Sequence, residues 1–250
     1  MSDPVLFERR GAAAVLTINR PEARNAVNGA VASALLDAYR RFEADADARI
    51  LVLAGAGGEA FCAGADLKAL DTVRDRHEGP LGFTRLTPSK PTIAAVSGWC
   101  VAGGLELACW CDLRIAAEGS TFGCFERRFG VPLIDGGTQR LPRIVGLGRA
   151  LEIMMTGRPV PVDEAHRIGL VNEIVPRGRH LARALELAET LAKFPWPTLL
   201  ADRAAALAGC GLPLEHGLAI EARLGRAVLD EAKRGASRFA GGAGRKGAGV

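Results

Sequence analysis

The chain has 250 residues, 48% of them hydrophobic and 24% charged, which is enough apolar material for one main domain with a sizeable core. Its formal charge of +4 is carried by dispersed basic residues, without a basic run interleaved with aromatics, so nucleic acid is not an expected partner. The first eight residues do not read as a leader and no stretch of about 18 apolar residues occurs, so a soluble, cytoplasmic protein with no membrane partner is expected.

Two apolar runs, 5–9 and 12–18, flank Arg10 and Gly11 and predict a β-hairpin. Val31, Leu35, Tyr39 and Phe42 recur at helical spacing over 29–46, giving an amphipathic helix, and 50–54 is an all-apolar strand of the kind buried on both faces. A second buried strand over 92–97, a short helix over 103–110 and a third strand over 111–117 continue the alternation, which implies a parallel-type sheet with crossovers. After Gly136 the pattern turns helical, with stretches at 146–156, 162–167, 180–194, 198–208 and 214–234. Leu181, Leu185, Ala188 and Leu191 form a clear apolar stripe, whereas Leu214, Leu218, Leu224 and Val228 do so less regularly. Residues 241–250, nearly all Gly and Ala, cannot offset their ordering entropy and are expected to be disordered.

Six cysteines sit in apolar surroundings without a CxxC pair, and the four histidines are scattered, so reduced, mostly buried thiols and no metal site are expected. A cysteine-nucleophile thioesterase is disfavoured because neither Cys62 nor Cys124 has a His or basic partner nearby in sequence.

Three segments could carry chemistry. In 57–67, GGEAFCAGADL, the small residues Ala63, Gly64 and Ala65 let a ligand approach backbone N–H groups; a tight turn with Asp66 as helix N-cap is the plainer reading. In 97–107, SGWCVAGGLEL, Ala102, Gly103 and Gly104 open a helix whose first N–H groups suit an oxyanion, and Glu106 follows about 4.5 Å further along the axis. That glutamate could also simply complement the helix dipole or close a capping box. In 121–128, TFGCFERR, Glu126 follows an apolar segment and, on its own, would be taken as an exposed carboxylate paired with Arg127 or Arg128.

Taken in order, NRPEARNAV (19–27), FCAGADL (61–67), AGGLELA with CDLRIAA (102–117), FGCFE followed by GGTQRLPRIVG (to 146) and GLVNEIVP (169–176) resemble the enoyl-CoA hydratase/isomerase, or crotonase, family. The resemblance implies an α/β fold, a spiral of ββα units over 1–195 with the acyl-CoA site. A helical region over 196–240 would mediate a homotrimer or dimer of trimers. It places oxyanion donors at the N–H groups of Ala65 and Gly103, each such donor worth about 3 to 4 kcal/mol in the transition state. It matches Glu106 and Glu126 to the two glutamates that add water to an enoyl-CoA, and it lays CoA along Ala23, Arg24, Ala63, Gly64, Asp66, Leu67 and Lys68. No cofactor is implied beyond the CoA of the substrate. Double-bond isomerisation on the same fold is the alternative, and a non-catalytic CoA- or RNA-binding relative is the alternative of another class. Hydratases of the family usually carry Pro before the second glutamate and a Gly-Ala pair eight and nine residues after it. Here Phe125, Ile134 and Asp135 stand there. For Asp135 a loop or N-cap role is expected, with a proton-shuttling role, as in dienoyl-CoA isomerases, as the rival.

Overall fold

The computed structural model describes residues 3–242, so the expected tail over 241–250 lies outside the described residues apart from Gly241 and Gly242, which form a turn. The strands are β1 (Val5–Arg10), β2 (Ala13–Ile18), β3 (Ile50–Gly55), β4 (Ala60–Cys62), β5 (Thr92–Val96), β6 (Trp99–Val101), β7 (Leu113–Ala117), β8 (Thr121–Gly123), β9 (Val160–Pro161) and β10 (Glu173–Val175). The helices are α1 (Gly29–Ala44), α2 (Gly103–Trp110), α3 (Gly137–Val145), α4 (Leu147–Thr156), α5 (Val162–Arg167), α6 (His180–Ala192), α7 (Trp196–Gly209), α8 (Leu214–Arg226) and α9 (Leu229–Ala240).

β1 and β2 form the expected antiparallel hairpin, and β2, β3, β5, β7 and β10 continue it as parallel neighbours in a six-stranded sheet. A second sheet has the order β4-β6-β8-β9. Each of β3, β5 and β7 leads within a few residues into β4, β6 and β8, so the chain winds through both sheets once per turn. This is the expected ββα spiral. β7 starts at Leu113 rather than 111, because α2 runs to Trp110 and Cys111 caps it.

Alternation along the strands sorts the core. Leu16, Ile18, Leu51, Leu53, Ala94 and Val96 point to one side with Val31, Leu35 and Phe42 of α1. Val15, Ile50, Val52, Ile93 and Ile115 point to the other, where α6 lays down Ala184 and Ala188, flanked by Leu181, Leu185 and Leu191. Both faces of the sheet are therefore covered, as its all-apolar strands require. Five of the six cysteines are buried and all six are free. Among the described residues no helix is long and apolar enough to cross a membrane.

The C-terminal part departs from expectation in its helix limits, since 137–145 is also helical and the last helix runs to Ala240. Residues 214–234 do not form one helix; α8 ends at Arg226 and α9 starts at Leu229, the join falling where the apolar spacing is irregular.

Candidate active site

The site begins with a strand pairing. β4 and β6 run parallel with Cys62 opposite Cys100, so the turns that follow them lie side by side. In the first turn Gly64 takes φ +86, a conformation glycine adopts without strain, and its N–H donates to Cys62 Sγ at 3.3 Å. The bridge between Val27 and Ala65 uses the Gly64 carbonyl and the Asp66 N–H, which turns the Ala65 N–H the other way, away from Val27. In the second turn Ala102 has φ 53 and ψ −129, and α2 starts at Gly103 with its first N–H groups unused by the helix. The two turns touch. A Cβ built on Gly64 would stand 2.7 Å from the Gly103 nitrogen, and one on Gly103 would stand 3.7 Å from the Ala65 nitrogen. The Ala65 and Gly103 amides, the two positions the resemblance gives as oxyanion donors, are thus brought together.

All eight residues of α2 are buried, Glu106 among them. Arg114 holds the far end of this helix, donating to the carbonyls of Ala108 at 3.4 Å and Cys111 at 2.6 Å. Glu106 does not close a capping box; its Oε1 accepts the N–H groups of Asp135 at 2.9 Å and Gly137 at 2.8 Å. A Cβ on Gly137 would lie 2.9 Å from both Cγ and Oε1 of Glu106, so only glycine permits this approach. Burial lifts the Glu106 carboxyl to about 7, the carboxyls of Asp135 and Glu126 push the same way, and the two N–H donors oppose them.

Glu126 lies in the 3-10 turn Phe125–Phe129. It is 6% exposed, and among the described residues neither carboxyl oxygen has a hydrogen-bond partner in another residue, so the reading as a solvated carboxylate paired with Arg127 or Arg128 is corrected. Burial raises its pKa. Asp135 is buried as well and is not a helix N-cap, since Gly136 holds that position before α3. Its Oδ1 accepts the Leu81 N–H at 3.0 Å and the Thr84 hydroxyl, and burial raises its pKa against those donors.

Glu106, Glu126 and Asp135 line one cleft, open to solvent, whose remaining walls are apolar. Ala63, Ala65, Gly103, Leu67, Leu81 and Phe125 are among its wall residues. A second cleft adjoins it through Ala63 and Phe125 and is bordered by Arg24, Trp99 and Arg128. The Arg128 guanidinium lies 4.1 Å from the centre of the Phe125 ring, and the Trp99 ring is 6.0 Å from it. Trp99, inside the 97–107 motif, was not singled out by sequence, and Arg128 was considered only as an ion-pair partner of Glu126.

Of the expected CoA track, Ala63 and Leu67 line the main cleft and Ala63 and Arg24 the adjoining one, whereas Ala23, Gly64, Asp66 and Lys68 line neither. Ala23 ends the 3-10 turn Pro21–Ala23, and the Arg24 carbonyl accepts the Ala63 N–H at 3.1 Å, joining the two motifs. Asn25, missed by sequence, is fully buried behind them and donates to the carbonyls of Ala56 at 2.9 Å and Ala60 at 2.7 Å. Asp66 caps the following 3-10 helix through the Lys68 N–H and pairs with Arg20 at 3.0 Å, so its carboxylate is already engaged within the chain. Leu67 and Lys68 are exposed. Burial pushes the Cys62 thiol up to about 12 and the Cys124 thiol well up too, which suits neither to nucleophilic attack.

The chain is also similar to known proteins over nearly its whole length. The family model described as enoyl-CoA hydratase/isomerase matches residues 8–242. A probable enoyl-CoA hydratase of Rhizobium meliloti is 38% identical over 245 residues, covering 95% of each chain. A short-chain-enoyl-CoA hydratase of Clostridium acetobutylicum is 41% identical over 194 residues, 75% of this chain and 74% of that one. The crystal structure of an enoyl-CoA hydratase from Mycobacterium marinum superposes with a TM-score of 0.90 at 39% identity, covering 96% of each chain.

Proposed function

The chain belongs to the enoyl-CoA hydratase/isomerase family, and from that premise we propose that it is a hydro-lyase adding water syn across the 2,3 double bond of a trans-2-enoyl-CoA to give a 3-hydroxyacyl-CoA. The observation that carries this reading is Glu126. Its carboxyl is buried in the cleft that Glu106 also lines, and burial raises its pKa, which favours its holding a proton.

The other parts supply what that acid needs. The thioester oxygen is taken by the Ala65 and Gly103 N–H groups, which polarise the conjugated double bond and accept the charge of the enolate. Glu106, ionised, takes a proton from water as the hydroxyl adds to the β-carbon; Glu126 gives its proton to the α-carbon. Each turnover leaves Glu106 protonated and Glu126 ionised, and proton exchange with solvent resets the pair. The two N–H donors on Glu106 favour its anion, which suits it to the part of the base. No cofactor takes part beyond the CoA of the substrate. Arg24 lines the adjoining cleft and Lys68 follows Leu67, and these two cations are read as partners of the CoA phosphates, with Ala23, Ala63, Gly64, Asp66 and Leu67 as backbone and wall.

Double-bond migration is kept as a second reading because Asp135 brings a third carboxyl into the cleft. The ties of its Oδ1 to Leu81 and Thr84 favour a supporting role instead. A homotrimer or dimer of trimers and a cytoplasmic setting complete the proposal, supported respectively by the exposed apolar residues of α8 and α9 and by the free thiols.

The test is the loss of enoyl-thioester absorbance when crotonyl-CoA is added, run beside product analysis on a 3-enoyl-CoA. Hydration is expected on the first, and Glu126→Gln should lower its rate by a factor of about 10² to 10⁴. Intact hydration in that variant would overturn the assignment of Glu126, and migration of the 3-enoyl double bond without hydration would favour the isomerase.

A further inference from the structure

Asp135 reaches two walls of the cleft at once. Its N–H, with that of Gly137, holds Oε1 of Glu106 at 2.9 and 2.8 Å. Its carboxylate oxygen Oδ1 holds the segment opposite, through the Leu81 N–H at 3.0 Å and the Thr84 hydroxyl. Leu81 in turn is 2% exposed and lies against the oxyanion turn, since a Cβ on Gly103 would come within 2.5 Å of its Cδ1.

Two arginines lace the same two segments together. Arg140 donates to the carbonyls of Asp135 at 2.9 Å and Thr84 at 2.6 Å, and Arg85 donates to that of Ile134 at 3.2 Å. Both act on backbone, so Asp135 supplies the side-chain tie. A buried carboxylate is an expensive way to join two loops unless its position or its charge matters elsewhere.

Building on the hydratase reading, we propose that Asp135 is a positioning residue for the reaction: its N–H fixes Glu106 while its carboxylate fixes Leu81 over the Gly103 amide, setting base and oxyanion donor relative to one another. The negative charge has a second effect. The groups that face Glu106 are the carboxyls of Asp135 and Glu126, the guanidinium of Arg140 and the thiols of Cys109 and Cys124. Among them Asp135 opposes ionisation of the base, so the enzyme gains its ionised base at higher pH than it would without that charge.

Two kinds of variant separate position from charge. Asp135→Asn keeps an oxygen for Leu81 and Thr84 and removes the charge; Asp135→Ala removes the tie, and Thr84→Val removes half of it. Crotonyl-CoA hydration is measured across pH for each, together with amide hydrogen exchange of peptides covering 79–86 and 131–138. In Asp135→Asn the acidic limb of the rate profile is expected to move to lower pH. In Asp135→Ala kcat should fall between about tenfold and a hundredfold, as a misplacement on the order of 1 Å produces, with faster exchange in both peptides. Thr84→Val should show the same changes in smaller degree.

The proposal is overturned if Asp135→Asn leaves the limb in place, or if Asp135→Ala and Thr84→Val leave kcat within about twofold and exchange unaltered. Should Asp135→Ala not fold, Thr84→Val and Asp135→Asn decide. A wild-type chain that fails to hydrate crotonyl-CoA sinks the hydratase reading instead, and the exchange measurements then decide the coupling of the two loops without reference to the reaction.

Discussion

Glu106 carries two N–H donors on one oxygen inside an apolar cleft, and chemistry and stability pull on it in opposite directions. Burial raises its carboxyl from 4.5 to about 7, so the folded chain binds this proton more tightly than the unfolded chain. The contribution to stability is therefore fully present below pH 4.5, declines as pH rises from there to about 7, and stays lost above it. That difference corresponds to about 3 kcal/mol for one group. Glu106→Gln keeps a carbonyl oxygen for the Asp135 and Gly137 N–H groups and cannot ionise. It is expected to be more stable than wild type at mildly alkaline pH, by up to about 3 kcal/mol, and no more stable at pH 4, while losing hydration. Denaturant unfolding of both proteins at the two pH values measures this, and an equal difference at both would show that ionisation of Glu106 costs the fold nothing. The same titration governs activity, since the base must be ionised: wild-type hydration should rise with pH through about 7.

At the scale of elements, the junction of β6 and α2 is where the site stores strain. Ala102 sits at φ 53 and ψ −129, a conformation that side chains avoid, and it does so to turn the Gly103 N–H toward the cleft. Such a residue costs about 1 to 3 kcal/mol. Replacing it with glycine removes that cost and adds about 0.5 to 1 kcal/mol of backbone entropy. Ala102→Gly is thus expected to stabilise the fold by about 1 kcal/mol, and a chemical-unfolding midpoint below that of wild type would count against the strain. Nothing local in the sequence announces it, because alanine is a good helix former and the strain is imposed by the strand before it. The limits of α2 itself were legible, since the Gly103–Gly104 pair opens it and an unbroken apolar run follows. The three-residue strands β4, β6 and β8 were not, being too short to show a period of two. Glu106 and Glu126 were reached only by resemblance to a family, each having a plainer local reading. The role of Asp135 was hidden because its partners Leu81 and Thr84 lie 54 and 51 positions away, where no local pattern extends.

For the whole molecule, the contrast between the two parts of the chain is the informative fact. The sheet has both faces covered, whereas α7, α8 and α9 contain no buried residue at all. α8 packs on α7 and α9 touches it, yet Leu214 remains 78% exposed, Leu218 50%, Leu229 53% and Phe239 63%. The apolar periodicity noticed over 214–228 was therefore a sound signal for helix, but its apolar side does not turn into this chain's own core. Helices with such a side are stable when something covers it, and copies of the same chain do so most simply in a closed ring. If the assembly is the trimer or dimer of trimers proposed above, the mass in solution is expected to be three or six times the 26.2 kDa of one chain, measured by sedimentation velocity. Placing charges at Leu218 and Phe239 together, as Leu218→Glu with Phe239→Glu, should shift the distribution toward single chains, because each buried apolar side chain lost from an interface weakens it by about 1.5 to 3 kcal/mol. The substitutions fall on helices that leave the sheet core untouched, so the secondary structure of the dissociated chain should survive, and circular dichroism separates dissociation from unfolding. A wild-type chain that sediments as a monomer at micromolar concentration would show that these exposed side chains tolerate water without a partner.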